Sequence, residues 1–159
     1  ELMHRAGTAI AQEVARLAAG RPVLVLAGPG KNGGDARIAA AWLSARGHDV
    51  TVVSLAEIGS AVPRPVLLDG LFGTGLSRPL GCAEALQRLA SAAELVIALD
   101  LPSGLETSTG RSLGAVRADV TIALGALKPA HVLAQGVTLC GHVVLHGIGI
   151  PTESDARTI

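Results

Sequence analysis

Two aspartates stand directly behind short apolar runs: VLLD ends at Asp69 and VIALD ends at Asp100. Each opens onto a glycine-bearing loop, GLFGTGLSRP at 70–79 and LPSGLETSTG at 101–110. A third such loop, GPGKNGGD at 28–35, lies between the apolar run Val23–Ala27 and a helix-forming stretch at 36–46. Strand, glycine loop and helix in that order expose backbone N–H groups at a helix N-terminus, where an anion or polar ligand is held. Gly28 and Gly30 fit the start of G-x-G-x-x-G, and Gly33 sits where its third glycine falls. That spacing alone is a weak signal, because glycine loops often only turn the chain.

The residue types divide the chemistry. Backbone N–H groups of Gly33, Gly34, Gly73 and Gly75 suit phosphate oxygens, since a missing side chain permits close approach. Thr74, Ser77 and Arg78 can assist, Arg78 as a forked donor. Asn32, Asp69 and Ser103 offer oxygen only, a set for a hard cation and not for zinc. Asp100, at a partly buried strand end, suits proton transfer. Asp35 either joins the ligand site or caps the helix that follows. Lys128, in LKPAH, reads as a surface lysine or as one reaching the same edge. Ser103 has neither a G-x-S-x-G elbow nor an assignable His–Asp pair, so a serine nucleophile has no support.

The elements that must position these groups follow from composition and pattern. The 159 residues suffice for one domain with a core. Half are apolar, yet there is no Tyr, one Phe and one Trp. Such a core of Val, Leu, Ile and Ala suits a mostly parallel sheet under Ala-rich helices. A helix is expected over 1–19, with an apolar stripe at Leu2, Met3, Ala6, Ile10, Val14 and Leu17. Strands are expected at Val23–Ala27, Val50–Leu55, Val66–Asp69, Leu95–Asp100, Val120–Leu124 and Val143–Leu145. Further helices are expected at 36–46, facing inward through Ile38, Ala41, Trp42 and Ala45, and at 83–93. Pro151–Ile159 reads as a polar tail or linker, leaving 1–150 as the domain. The segment 56–65 is shorter than the roughly dozen residues a parallel crossover usually takes. In a doubly wound sheet, ligands bind at the carboxyl ends of the strands, which is where all three loops fall.

Thirteen basic and thirteen acidic residues cancel, leaving no electrostatic case for nucleic acid or an anionic membrane. Cys82 and Cys140 have no C-x-x-C, and the five histidines show no zinc spacing. No apolar run approaches the length of a membrane span, so a cytoplasmic protein is the expectation.

Four segments in order (GPGKNGGD, LDGLFGTGLSRPLG, ALDLPSGLETSTG and ADVTIALGALKPAH…GIGIP) resemble the NAD(P)H-hydrate epimerases, the YjeF N-terminal domain family. The opening LMHRAGTAIAQEV resembles that family's first helix, so the likeness covers nearly the whole chain. It implies a Rossmann-like three-layer αβα sandwich and an isomerase. The reaction would be epimerisation of the R and S hydrates of NADH and NADPH, a repair of damaged cofactors. The hydrate would be bound by Lys31, Asn32, Gly33, Gly34 and Asp35, by Gly73, Thr74, Gly75, Leu76, Ser77, Arg78 and Pro79, and by Asp100. Asp100 would also be the acid/base group. Asn32, Asp69 and Ser103 would hold a potassium ion. A homodimer is expected, alone or alongside a hydrate dehydratase fused to the same chain. Two residues depart from the family loop N-N-G-G-D-G: Lys31 replaces its first Asn and Ala36 its last Gly. A non-catalytic binding or dimerisation module of the same fold is the alternative. A dehydrogenase fits less well, because no acidic residue follows strand two to read a ribose.

Overall fold

The computed structural model describes residues 1–147 and 156–158; Ile148–Pro151 of the GIGIP segment and most of the expected tail lie outside the described residues. The element order is α1 (Leu2–Ala18), β1 (Val23–Ala27), α2 (Lys31–Ala45), β2 (Val50–Ser54), β3 (Val66–Gly70), α3 (Ala83–Ser91), β4 (Leu95–Leu99), β5 (Val120–Leu124), α4 (Gly136–Leu139), β6 (His142–His146) and β7 (Ala156–Thr158). The sheet runs β2-β1-β3-β4-β5-β6-β7. Strands β1 to β6 pair in parallel, and β7 adds antiparallel to β6, so part of the expected tail is an edge strand.

Alternation along the strands builds two cores. Val23, Val25, Val66, Leu68, Ile97 and Leu99 pack under α1 and α2. Leu24, Leu26, Leu67, Val96 and Ala98 pack against Leu86 and Leu89 of α3 and Ile58 of the β2–β3 connection. The result is the helix–sheet–helix sandwich expected of a buried parallel sheet. The β2–β3 connection crosses with a 3-10 turn, Leu55–Ser60, in place of a full helix. Its entry is fixed because the Ser54 backbone N–H donates to Glu57 Oε1. A tight 3-10 turn with an extended return through Pro63 and Pro65 is enough chain to reach β3.

Helix α2 corrects two expectations. It begins at Lys31 and absorbs the glycine loop into its first turn. Its inward face is Asn32, Gly33, Ala36, Ala39, Ala40 and Leu43, whereas Ala41 and Ala45 are exposed. Trp42 is half-buried, packed at the edge of the core with Arg46 over its ring, 3.6 Å from the centroid. Small residues won the inward face because the helix lies close upon the strand ends. A Cβ on Gly28 would fall 1.8 Å from the Leu71 carbonyl oxygen, and one on Gly33 would fall 1.7 Å from that of Gly28. Gly70 likewise makes room for the Ala36 methyl.

Backbone atoms on both sides of these contacts cannot step aside. Gly28→Ala and Gly33→Ala are each expected to lose on the order of 3 kcal/mol of stability or to fail to fold. Gly30→Ala, with nothing within 4 Å of the added methyl, is expected to stay within about 1 kcal/mol of wild type. Urea unfolding of the three variants checks this.

Candidate active site

Strand β1 lies between β2 and β3, so the chain leaves it in one direction and returns in the other. The loops after β1 and β3 therefore part at a topological switch point, the usual place for a ligand in such a sheet. A cleft of about 660 Å³ opens there. Lys31, Asn32, Asp35, Phe72, Gly73, Thr74, Asp100 and Lys128 line it.

Asp100 closes β4 in an unusual backbone state, with φ +65°. The Leu101 N–H donates back to the Leu99 carbonyl at 2.8 Å, closing a three-residue turn on Asp100. A positive φ in such a turn is strained, and Asp tolerates it better than most residues. The Asp100 N–H donates to the Ile122 carbonyl at 2.8 Å. Lys128 Nζ donates to Asp100 Oδ1 at 2.6 Å, and the Leu124 N–H reaches the same oxygen at 3.2 Å. Oδ2 has no hydrogen-bond partner among the described residues, and the residue faces the cleft. Lys128 is thus not a surface lysine. The LKPAH segment held the clue, because Pro129 starts a 3-10 turn, Pro129–His131, that folds Lys128 back over the sheet edge.

His131 was missed altogether in the sequence reading. It is 4% exposed, and its Nε2 donates to the Asp100 carbonyl at 2.6 Å. Its Nδ1 accepts the Lys128 backbone N–H at 2.8 Å. Burial holds the imidazole below its ordinary pKa, despite the opposing pull of Asp100. One nitrogen donates while the other accepts, the pattern of a neutral ring.

Asp35 sits inside the first turns of α2, and no side chain caps this helix, so the capping role is excluded. The carboxyl lines the cleft and is pushed up to about 6, first by burial and then by the nearby Asp100 charge; Lys31 partly offsets both. Lys31 itself is exposed at the mouth of the cleft.

Asp69 and Ser103 meet behind the cleft, and Asn32 lines its wall. Asp69 is 1% exposed and Ser103 is fully buried. Ser103 Oγ donates to Asp69 Oδ1 at 2.5 Å, and the Ser103 N–H donates to Oδ2 at 2.8 Å. The Phe72 N–H donates to Ser103 Oγ at 2.9 Å. Burial raises the Asp69 pKa, against the hydrogen bonds from Ser103 and Leu71. Asn32 Nδ2 donates to the Leu99 carbonyl at 2.8 Å, which turns Oδ1 toward Gly73. No side-chain cation pairs with Asp69 among the described residues.

The remaining expected contacts divide. Gly33 and Gly34 belong to helix α2, and the Gly34 N–H is taken by the Gly30 carbonyl at 3.1 Å, so it is not free for a phosphate. The Gly75 N–H leans on Thr107 Oγ1 at 3.4 Å. Leu76, Arg78 and Pro79 line a second hollow of about 390 Å³ that shares Phe72 with the cleft. Ser77 is exposed between them. No group of three or more His, Cys, Asp or Glu gathers among the described residues. No helix among them is long and apolar enough to cross a membrane.

The family model described as YjeF-related protein N-terminus matches residues 1–64 and 57–130. The NAD(P)H-hydrate epimerase of Bordetella bronchiseptica is 40% identical over 183 residues, covering 94% of this chain and 79% of that protein. The bifunctional NAD(P)H-hydrate repair enzyme Nnr of Hyperthermus butylicus is 35% identical over 192 residues, covering 98% of this chain but 35% of that protein. The crystal structure of the yeast protein ynu0 has the same fold, with a TM-score of 0.77 at 21% identity, covering 99% of this chain and 89% of that one. These alignments are longer than the 159-residue chain, so the relatives carry residues it lacks. The two family segments meet and overlap at 57–64, inside the short β2–β3 connection.

Because the folded protein holds the Asp35 proton more tightly than an unfolded chain does, this group makes stability fall as pH rises from 3.8 to about 6. Asp35→Asn is expected to remove that fall. Urea midpoints of both proteins between pH 4 and pH 7 check it: the gap between variant and wild type should widen in the variant's favour as pH rises.

Proposed function

The chain belongs to the family of YjeF-related protein N-termini, and from that premise we propose the reaction of its cleft: epimerisation of the R and S hydrates of NADH and NADPH. The observation that carries the reading is the convergence of the loops after β1 and β3 and the end of β4 on one cleft. There Asp100 is held by a lysine, in a chain whose relatives across nearly its whole length are hydrate epimerases. Inversion at the hydrated ring carbon needs the hydroxyl to leave and water to return on the other face. Asp35 supplies the proton that turns the departing hydroxide into water. The Asp100 carboxylate faces the positive charge left on the ring and accepts a proton from the returning water. That proton goes back to Asp35 through the open cleft, so the cycle closes with no net change. Gly73 and Thr74 in the cleft and Leu76, Arg78 and Pro79 in the adjoining hollow would hold the rest of the dinucleotide, Arg78 as a donor to phosphate.

A potassium ion fits the group behind the cleft. Asp69 is a buried carboxylate that pairs with no cationic side chain among the described residues, and Asn32 Oδ1 and Ser103 Oγ would complete an oxygen-only set. When bound, the ion would supply the missing counter-charge and tie the three loops together. Lys31 lines the cleft and is exposed, whereas Asp69 and Ser103 are buried. The bifunctional relatives support a partnership with a second repair activity, which we take to be a hydrate dehydratase, and a homodimer is the proposed assembly.

Purified R-hydrate incubated with the protein and resolved by chromatography tests the activity against the unaided rate in buffer. Wild type should hasten equilibration, and Asp100→Asn should lose at least about 100-fold. A folded wild-type protein no faster than buffer overturns the reading in favour of a binding module. Potassium should raise the melting temperature more than sodium does, and Asp69→Asn should abolish that difference. Equal melting in the two salts would remove potassium from the site.

A further inference from the structure

Asp100 is the most constrained residue of the cleft, and the groups that constrain it come from one short turn. Its backbone is at φ +65°, a state that persists only where neighbours over-determine it. Lys128 and His131 stand three residues apart on the 3-10 turn after β5 and grip Asp100 from two sides. Lys128 Nζ takes Oδ1 at 2.6 Å and also the Leu124 carbonyl at 2.8 Å. The His131 ring takes the Asp100 backbone carbonyl at 2.6 Å and is itself fixed by the Lys128 N–H at 2.8 Å. The turn is anchored in its own right, because the Ala130 N–H donates to the Thr107 carbonyl at 2.9 Å.

We propose that His131, as a neutral ring protonated on Nε2, is a positioning residue that works with Lys128 to hold Asp100 in its strained turn, so that only Oδ2 is presented to the substrate. The inference rests on the epimerase reading for its consequence, not for its geometry. The Nδ1 contact is a backbone N–H, which can only donate, so Nδ1 must accept. The contact at Nε2 is a carbonyl oxygen, which can only accept, so Nε2 must donate. The charged groups against the ring are Asp100 and Lys128, which pull its proton affinity in opposite directions. Without the Nε2 donor, the Asp100 carbonyl loses a partner at a buried position and the turn can relax toward negative φ. The carboxylate would then swing while its chemistry stayed the same. Misplacing a reacting group by about 1 Å costs on the order of 100-fold in rate.

Two substitutions separate positioning from bulk support. In His131→Gln the side-chain amide can keep a donor at the Nε2 place. In His131→Asn the shorter amide keeps an acceptor near the Nδ1 place and loses the reach to Asp100. We expect His131→Gln to retain kcat within about threefold, and His131→Asn to lose on the order of 100-fold in kcat with KM nearly unchanged. Equal losses in both variants, tracking their melting temperatures, would mean a merely structural histidine and overturn the proposal. The clamp is also read without substrate. In the full chain with 15N-labelled histidine, the ring should show protonated Nε2 and bare Nδ1 from pH 6 to pH 8. A ring protonated on Nδ1, or on both nitrogens, overturns the proposal whatever the activity. Wild type that fails to epimerise while its ring shows the expected tautomer overturns the epimerase reading instead and leaves the clamp as a structural fact.

Discussion

Near the end of β3 lies a buried carboxylate, Asp69, that pairs with no cationic side chain among the described residues. Asp69 is nearly sealed from solvent and spends both oxygens on groups far away in the chain, chiefly the hydroxyl and N–H of Ser103. Burying a charge is costly unless hydrogen bonds or a counter-ion compensate. The neighbouring chain is arranged to provide that compensation. The Leu71 N–H turns back to Asp69, the Phe72 N–H meets Ser103 Oγ, and the Ser103 loop is folded onto the end of β3. The loops after β3 and β4 are thereby bound to one another. The loop after β1 joins through Asn32, whose amide crosses to the end of β4.

Close approach does the rest. Gly28, Gly33 and Gly70 leave no space for a side chain between the strand ends and helix α2. This is why α2 can begin five residues earlier than its helix formers suggest. Packing against the strand ends offsets the poor intrinsic helix propensity of two consecutive glycines. It also means that the start of the helix is part of the cleft wall, with Lys31 exposed at its mouth and Asn32 and Asp35 lining it. Two carboxyls then share one cleft in different surroundings. Asp35 has no side-chain hydrogen bond among the described residues and is pushed up to about 6, whereas Asp100 is tied to an ammonium. Different surroundings of this kind suit neighbouring carboxyls to different roles in proton transfer.

Apolar runs bounded by glycine and proline marked the six parallel strands to within a residue or two, because a strand buried on both faces has to be apolar throughout. The same reasoning placed Asp69 and Asp100 at the strand ends and the three loops at one edge. It failed on α2, where Ile38 and Trp42 look like the core stripe and are only half-buried. The choice of face was made by how near the backbone could come to β1 and β3, which side-chain hydrophobicity does not encode. The same reasoning left Lys128 open between surface and sheet edge and missed His131, since their types and spacing are those of an ordinary loop.

What the sequence by itself determined is the class of fold, the places of the six parallel strands along the chain and the chemistry available at their carboxyl ends. Those follow from local pattern: a run of apolar residues, a glycine that must turn, an acid placed where the strand stops. What only the tertiary structure decided is which of these groups are buried, which are paired and which are left to act. Ser103 became a buried brace, Asp35 a cleft carboxyl and Lys128 the partner of Asp100. Pairings such as Asp69 with Ser103 and Asp100 with Lys128 join residues remote in the chain. Their strength depends on distance and on exclusion of water, and neither exists until the sheet has brought the loops together.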